Sequence, residues 1–202
     1  MARRTIALDA DGVLLDFHLG YATAWTRAFG HRPVERDPLA YWPIERWQVE
    51  RLDAERRVHF RNFFDLEFWS GLPAVAGSLD ACISLHDAGF ELVCVSALDA
   101  QYESARLHNL RALGFPIERV IATGHAEGDR SPKVDAIESL QPVAFVDDYL
   151  PYFRGVPGDV HTALVLRAPN GSPNIGPEMK AVKSVHDDLA GFALHWLAVQ
   201  SA

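Results

Sequence analysis

The chain has 202 residues, of which 49% are hydrophobic, and its 27 acidic and 19 basic residues give a formal net charge of -8. A chain of this length and hydrophobic content buries a substantial core, as one domain or one domain with a modest insertion. The acidic balance disfavours binding to a nucleic-acid polymer through a basic surface. Cys82 and Cys94 are the only cysteines. Two cysteines without metal-type spacing do not form a disulfide framework, so we expect reduced, buried thiols.

The apolar stretch near the N terminus is interrupted by Asp9 and Asp11. A secretory signal or a membrane span requires an unbroken apolar run. We therefore expect a cytoplasmic protein without a membrane partner.

The first predicted element is a strand that delivers two aspartates together. Residues 5–8 form a short apolar run, and Asp9, Asp11 and Gly12 follow it. A buried strand of an open α/β sheet places such residues at its carboxyl end, where these sheets bind ligands. Strand geometry separates Asp9 and Asp11 by roughly 6 to 7 Å on one side, which favours a bound cation. The alternative is a β-hairpin, because Asp-Gly between apolar residues is also a turn signal.

Residues 17–77 are predicted to form a helical insertion, because they are rich in helix formers and aromatic residues and are punctuated by prolines. The insertion begins directly after the Asp9 and Asp11 segment, so we expect it to cover the carboxyl ends of the strands and shield the site from water. Most of its aromatic residues are expected to form its own core. Three arginines of the insertion would either meet an acidic substrate or form a solvated helix face: Arg56, Arg57 and Arg61. The pattern favours the solvated helix face.

The remainder of the chain alternates helical and extended patterns, as a parallel sheet with crossover helices requires. We predict an α/β fold with a doubly wound, Rossmann-like parallel sheet in which the strand before Asp9 is central. The predicted helices are 79–88, 102–113, 132–140 and 187–199, the predicted strands are 90–96, 120–122, 143–146, 161–166 and 181–185, and 168–177 is a predicted loop.

Further polar residues stand at the ends of these predicted strands. Ser96 ends the second strand and is followed by the small residue Ala97, while Asp147 and Asp148 follow the strand at 143–146. A serine at a strand end usually caps the next turn, and acidic pairs there are often only solvated. In a sheet that brings these ends to one edge, the hydroxyl is available to an anionic oxygen.

A lysine is predicted at the start of the helix at 132–140. Ser131 fits the N-cap position, Pro132 fits the first helical position, and Lys133 follows. A lysine in the first turn is mildly unfavourable beside the positive end of the helix dipole. A partner anion explains it better than simple exposure.

Taken in chain order, these polar residues at the strand ends and at the helix start resemble the motifs of the haloacid dehalogenase superfamily, specifically its phosphatase branch with a small helical cap of the C1 type. The segment 9–14 resembles the first motif, and the second, third and fourth are matched by Ser96, Lys133 and the pair Asp147 and Asp148. The resemblance implies a catalytic core of residues 1–16 and 78–202 and a cap of residues 17–77.

The resemblance also implies roles for individual residues. Asp9 would be the nucleophile that forms an aspartyl-phosphate, and Asp11 the general acid and base, its main-chain carbonyl also binding the metal. Asp9 and Asp147 would complete the metal site. Asp148 would orient a water molecule or Lys133 without touching the metal itself, although the sequence leaves open which of Asp147 and Asp148 is the direct ligand. Ser96, Ala97 and Lys133 would hold phosphoryl oxygens. Oxygen ligands beside a phosphate favour Mg²⁺.

The expected activity is hydrolysis of a small phosphorylated metabolite. Within the superfamily, an aspartate at the position of Asp11 indicates phosphate chemistry rather than dehalogenation. Segments near Phe68, Trp69 and 12–17 resemble 5'-nucleotidase and deoxyribonucleotidase members, but sugar phosphates fit the core equally well. Two alternatives stay open: a phosphomutase of the same fold, and a non-catalytic Mg²⁺-binding phosphoacceptor similar to receiver domains, against which Asp11 argues.

Overall fold

A six-stranded sheet forms the centre of the computed structural model, which describes residues 3–125 and 129–200. Every pair of neighbouring strands is parallel. The order is β3-β2-β1-β4-β5-β6, so β1 lies in the interior of the sheet, as the sequence predicts. The strands are β1 (Thr5–Leu8), β2 (Glu91–Ser96), β3 (Arg119–Ala122), β4 (Ala144–Asp147), β5 (His161–Val165) and β6 (Ser184–His186).

Helices alternate with these strands and cover both faces of the sheet, which gives the predicted Rossmann-like α/β fold. No helix in the described part of the chain has the length and hydrophobicity that crossing a membrane requires. The α-helices are α1 (Phe17–Phe29), α2 (Pro43–Arg46), α3 (Ala54–Arg61), α4 (Leu66–Ser70), α5 (Ser78–Asp87), α6 (Glu103–Ala112), α7 (Val134–Leu140) and α8 (Leu189–Gln200). Short 3-10 helices are Ala100–Tyr102, Leu150–Phe153 and Pro177–Ala181.

The central strands are buried on both faces, which explains why their sequences are almost continuously apolar. Side chains alternate across a strand, so Ile6 and Leu8 belong to one core cluster and Ala7 belongs to the other. The first cluster includes Phe192 of α8, and the second includes Ile137 of α7. The strands of a parallel sheet with both faces covered appear in the sequence as apolar runs rather than as alternating patterns.

Residues 17–77 contain α1 to α4 and contribute no strand to the six-stranded sheet among the described residues. Phe60 of α3 is the centre of an aromatic cluster, with ring centroids 5.1 Å from Tyr21, 5.3 Å from Trp25 and 5.2 Å from Phe64. Such edge-to-face packing stabilises the segment beyond simple burial. The division of the chain into a core and a cap stays a prediction.

Several predicted elements begin one to three residues later than the sequence suggests, and for two of them the structure shows the reason. The helix expected from residue 132 begins at Val134, because Ser131 Oγ accepts a hydrogen bond from the Lys133 amide at 3.2 Å and closes a turn ahead of the helix. Lys133, not Ser131, is therefore the N-cap residue. The strand expected at 181–185 is β6, which starts at Ser184 because a 3-10 helix occupies Pro177–Ala181.

Leu85 and Leu194 provide a matched test of the core. Leu85 of α5 is 0% exposed and Leu194 of α8 is 74% exposed. We expect Leu85→Ala to lower the free energy of unfolding by about 2 to 5 kcal/mol, because it removes buried surface and leaves a cavity. Leu194→Ala, with the same change in helix propensity, is expected to cost under about 0.5 kcal/mol. Urea unfolding measures both, and equal losses would contradict the assignment of α5 to the core.

Candidate active site

The predicted polar residues meet at the carboxyl edge of the sheet. Asp9 follows β1, Ser96 ends β2, and Asp147 ends β4. Because β1 lies between β2 and β4, these three positions are neighbours at one edge. The sheet therefore brings together residues that are far apart in the sequence.

Lys133 links two of these strands from the N-cap of α7. Its Nζ donates to Asp9 Oδ1 and to Asp147 Oδ2, the latter at 2.6 Å. The lysine side chain is fully buried. Burial by itself lowers the pKa of Lys133, but the two carboxylates outweigh burial and raise it. Lys133 is thus a buried cation held between two carboxylates.

Asp9, Asp147 and Asp148 form an acidic cluster in which one oxygen of each lies within 4.8 Å of the others. The Tyr149 amide donates to Asp147 Oδ1 at 2.9 Å. Burial, together with the charges of Asp9 and Asp147, raises the pKa of Asp148. Burial also raises the pKa of Asp147, against the opposing charge of Lys133. With all three carboxylates ionised, the one ammonium group would leave two negative charges uncompensated. The donor set, all carboxylate oxygen, fits a hard divalent cation.

Asp148 is positioned by a residue that the sequence does not single out. The Asn174 side chain donates to the main-chain oxygen of Asp148 at 2.6 Å, and its Oδ1 accepts from the Leu150 amide at 2.7 Å. Asn174 is buried although it belongs to the predicted loop at 168–177. It thereby fixes the backbone that carries the acidic pair.

Asp11 faces a different partner from Asp9. Its Oδ2 accepts a hydrogen bond from Arg106 Nη2 at 2.9 Å. Burial raises the pKa of Asp11, Arg106 opposes this shift, and the charge of Asp9 adds to it. The two aspartates thus share one edge of the sheet, but their carboxylates pair with different cations.

Arg106 is a functional candidate that sequence reasoning missed. It is fully buried in α6, and its guanidinium carbon lies 5.0 Å from the Trp69 ring centroid. Among the described residues, Asp11 is the hydrogen-bond partner of its side chain. Buried residues of α6 at positions 105, 106, 109 and 110 follow helical spacing. That spacing is the signal that places an arginine on the buried face.

A cavity of about 510 Å³ opens above the acidic cluster. Asp9, Asp11, Ser96, Ala97 and Asp148 line it, whereas Lys133 and Asp147 are fully buried and are not part of its wall. Aromatic and imidazole groups form much of the remaining wall: Phe17, His18, Tyr41, Trp42, Trp69, His125, Tyr149 and Tyr152.

The aromatic residues of 17–77 therefore divide between two roles. Trp25, Phe60 and Phe68 are buried in the core, as predicted for most of them, while Tyr41, Trp42 and Trp69 line the cavity. The cavity combines anionic groups on one side with apolar, flat surfaces on the other. This combination suits a small ligand with one highly charged end and an organic body.

A family model described as haloacid dehalogenase-like hydrolase matches residues 3–150. The chain belongs to the haloacid dehalogenase-like hydrolase family. The family resemblance expected from the motifs is confirmed, and the chain is a hydrolase of this family. The phosphatase branch, the C1 type of cap and the similarity to nucleotidases stay predictions. No curated protein matches the sequence significantly.

Solved structures share the haloacid dehalogenase-like fold at low sequence identity. A hydrolase of this family from Deinococcus radiodurans with bound phosphate and sodium has a TM-score of 0.64 at 13% identity, covering 98% of this chain and 96% of that chain. A putative beta-phosphoglucomutase from Thermotoga maritima has a TM-score of 0.58 at 16% identity, covering 97% and 99%. An L-2-haloacid dehalogenase has a TM-score of 0.59 at 16% identity, covering 96% and 100%. These similarities show the shared fold.

Gly12 tests how closely the first motif of this hydrolase packs on the acidic cluster. Its φ is 89°, and an added Cβ would lie 2.2 Å from Asp148 Oδ2. Gly30 has a φ of 76° with nothing within 4 Å of an added Cβ. We expect both alanine variants to lose about 1 to 2 kcal/mol from the left-handed backbone. Gly12→Ala is expected to lose about 1 to 3 kcal/mol more, because Asp148 must move.

Urea unfolding of the two glycine variants measures this difference. Equal losses for Gly12→Ala and Gly30→Ala would show that the close approach of Gly12 to Asp148 is not a constraint on the folded state.

Proposed function

We propose that the protein is a Mg²⁺-dependent phosphatase that hydrolyses a small phosphomonoester through an aspartyl-phosphate. The observation that carries the proposal is the cluster of Asp9, Lys133, Asp147 and Asp148, in which Asp9 and Asp148 line a cavity at the carboxyl edge of the sheet and Lys133 and Asp147 are buried beneath them. A nucleophilic carboxylate with cationic partners at the mouth of a cavity suits transfer of an anionic group.

Electrostatics explains why this arrangement needs cations. A carboxylate that approaches a phosphate monoester meets like charge, and each pair of unit charges at 4 Å costs about 4 kcal/mol at an effective dielectric of 20. Lys133 supplies one compensating charge next to Asp9. Mg²⁺ is the proposed second, held by Asp9 and Asp147 with Asp148 beside them and the main-chain carbonyl of Asp11. When bound, it would neutralise charge on the phosphoryl group.

The proposed reaction has two steps. Asp9 attacks phosphorus, the bond between phosphorus and the ester oxygen breaks, and Asp11 gives its proton to the leaving oxygen. Asp11, now a carboxylate, accepts a proton from the water that attacks the phosphorylated Asp9. Phosphate leaves and both aspartates return to their starting forms. Ser96, Ala97 and Lys133 are proposed to hold the phosphoryl oxygens.

The cavity supports a small phosphorylated metabolite as the substrate. Its volume of about 510 Å³ and its wall of Tyr41, Trp42 and Trp69 suit an organic leaving group beyond the phosphate. A nucleoside monophosphate or a sugar phosphate is the proposed class. The bound phosphate of the related Deinococcus radiodurans hydrolase is consistent with phosphate chemistry on this fold.

Asp9→Asn tests the nucleophile. We expect the variant to lose Mg²⁺-dependent phosphate release, because an amide does not attack phosphorus. The assay follows free phosphate from nucleoside monophosphates, sugar phosphates and p-nitrophenyl phosphate, before and after chelation and re-addition of Mg²⁺. Asp159→Asn, at an exposed aspartate away from the cavity, is the matched control and is expected to retain wild-type rates.

Retained turnover in Asp9→Asn would overturn the proposed nucleophile. ³¹P NMR separates the alternatives: a phosphomutase leaves phosphate on a product carbon, and a phosphoacceptor module accumulates a stable phosphorylated protein.

Arg106 tests the role of Asp11 through the choice of leaving group. Because Arg106 holds the Asp11 carboxylate at 2.9 Å, Arg106→Met is expected to misplace the proton donor. We expect kcat/KM to fall about tenfold or more for an alkyl phosphate, whose leaving oxygen needs a proton. For p-nitrophenyl phosphate, whose leaving group departs without a proton, the fall is expected to be small.

The conservative variant separates positioning from a loss of structure. Arg106→Lys keeps a positive charge and is expected to recover part of the alkyl phosphate activity. Equal losses on both substrates in Arg106→Met would show that Arg106 supports the fold rather than the position of Asp11.

A further inference from the structure

A second cavity, of about 630 Å³, lies in the segment 17–77. Its floor is aromatic and is formed by Tyr21 and Trp25 of α1 together with Phe60 and Phe64. Ile44, Val49 and Leu52 supply aliphatic wall. The size lies within the range of small-molecule pockets, and flat apolar surfaces of this kind bind flat apolar ligands.

Three arginines surround this aromatic floor. Arg51, Arg57 and Arg61 all line the cavity and are exposed. None of the three is in an ion pair with another residue in the described part of the chain. Arg57 and Arg61 lie four residues apart on α3, so they project from the same side of the helix. The cavity therefore carries guanidinium groups without protein partners.

The acidic residues nearby do not compensate these charges. Glu50 also lines the cavity, but its Oε1 is bound by Arg56 at 2.6 Å. Asp53 caps α3 and accepts a hydrogen bond from the Arg56 amide at 2.9 Å. The result is a local positive charge on a chain whose formal net charge is -8. Its complement is an anion.

The cavity is distinct from the active-site cavity but shares structural elements with it. On α1, Phe17 and His18 line the active site, while Tyr21 lies one turn further along and lines the second cavity. On α2, Pro43 faces the active site and the next residue, Ile44, faces the second cavity. The residues of the proposed reaction play no part in the second cavity.

We propose that this cavity is a second ligand site, which binds a small organic anion with a flat apolar body, such as an aromatic carboxylate, sulfonate or phosphate. The body packs on the partly exposed side chains of Phe64, Val49 and Leu52, beneath which Trp25 and Phe60 are buried, and the anionic group meets Arg57 and Arg61. Guanidinium groups bind such anions through paired, charge-assisted hydrogen bonds. The proposal goes beyond the phosphatase activity and does not depend on it.

Anilinonaphthalene sulfonate is a suitable probe, because it joins a flat apolar body to a sulfonate and fluoresces when it leaves water. Titration into the native protein is expected to give saturable binding at one site. Arg57→Gln/Arg61→Gln is expected to weaken binding about tenfold or more, since each removed charge costs a charge-assisted hydrogen bond. Both positions are exposed, so the variant is expected to fold; its thermal midpoint checks this.

Two matched variants locate the probe. Two substitutions are each expected to change the affinity for the sulfonate less than about twofold: Arg119→Gln, at an exposed arginine of β3 outside both cavities, and Trp42→Ala, in the active-site cavity.

An uncharged probe, N-phenylnaphthylamine, tests the role of the sulfonate. It is expected to bind wild type and Arg57→Gln/Arg61→Gln alike, or to bind neither. A wild-type protein without saturable binding of the sulfonate overturns the proposal. It is also overturned if Arg57→Gln/Arg61→Gln binds like wild type, or if either control variant loses as much affinity.

Discussion

The ammonium group of Lys133 between Asp9 and Asp147 is the contact on which the active-site edge depends. Burying two carboxylates without a cation is very costly, and removing one partner of a buried ion pair leaves an uncompensated charge. Lys133 reaches both aspartates because it stands at the N-cap of α7. The contact thus requires β1 and β4 to be neighbours and α7 to begin at their carboxyl ends.

Lys133 does not compensate the whole cluster, and this incomplete balance has a functional consequence. Asp148 adds a third carboxylate within 4.8 Å, so the fully ionised site would carry an excess of negative charge, and burial beside Asp9 and Asp147 raises the pKa of Asp148. A bound cation would compensate this excess negative charge. The same edge that is costly for stability is therefore the edge suited to binding a metal and an anionic group together.

A second ion pair connects this edge to the helical segment above it. Arg106 of α6 binds Asp11 and lies over the Trp69 ring, and Asn109 of the same helix donates to the Leu72 carbonyl at 3.0 Å. Asp11 is thereby coupled to the segment 17–77, which also forms the wall of the cavity. Movement of that segment would displace the partner of Asp11 as well as part of the cavity wall, so the position of Asp11 and the shape of the cavity depend on one structural element.

The sequence by itself determined the strands, their polar ends and the family. Parallel strands buried on both faces appear as apolar runs, and Asp9, Ser96 and Asp147 stand directly at the ends of such runs, so local patterns are sufficient to place them. Only the tertiary structure decided which residues hold Asp11 and Asp148, because Arg106 and Asn174 lie 95 and 26 residues from these partners in the sequence. The second cavity depended on it equally, because it arises from contacts between segments that are separate in the chain. Periodicity reports which face of an element is buried but not what that face will meet.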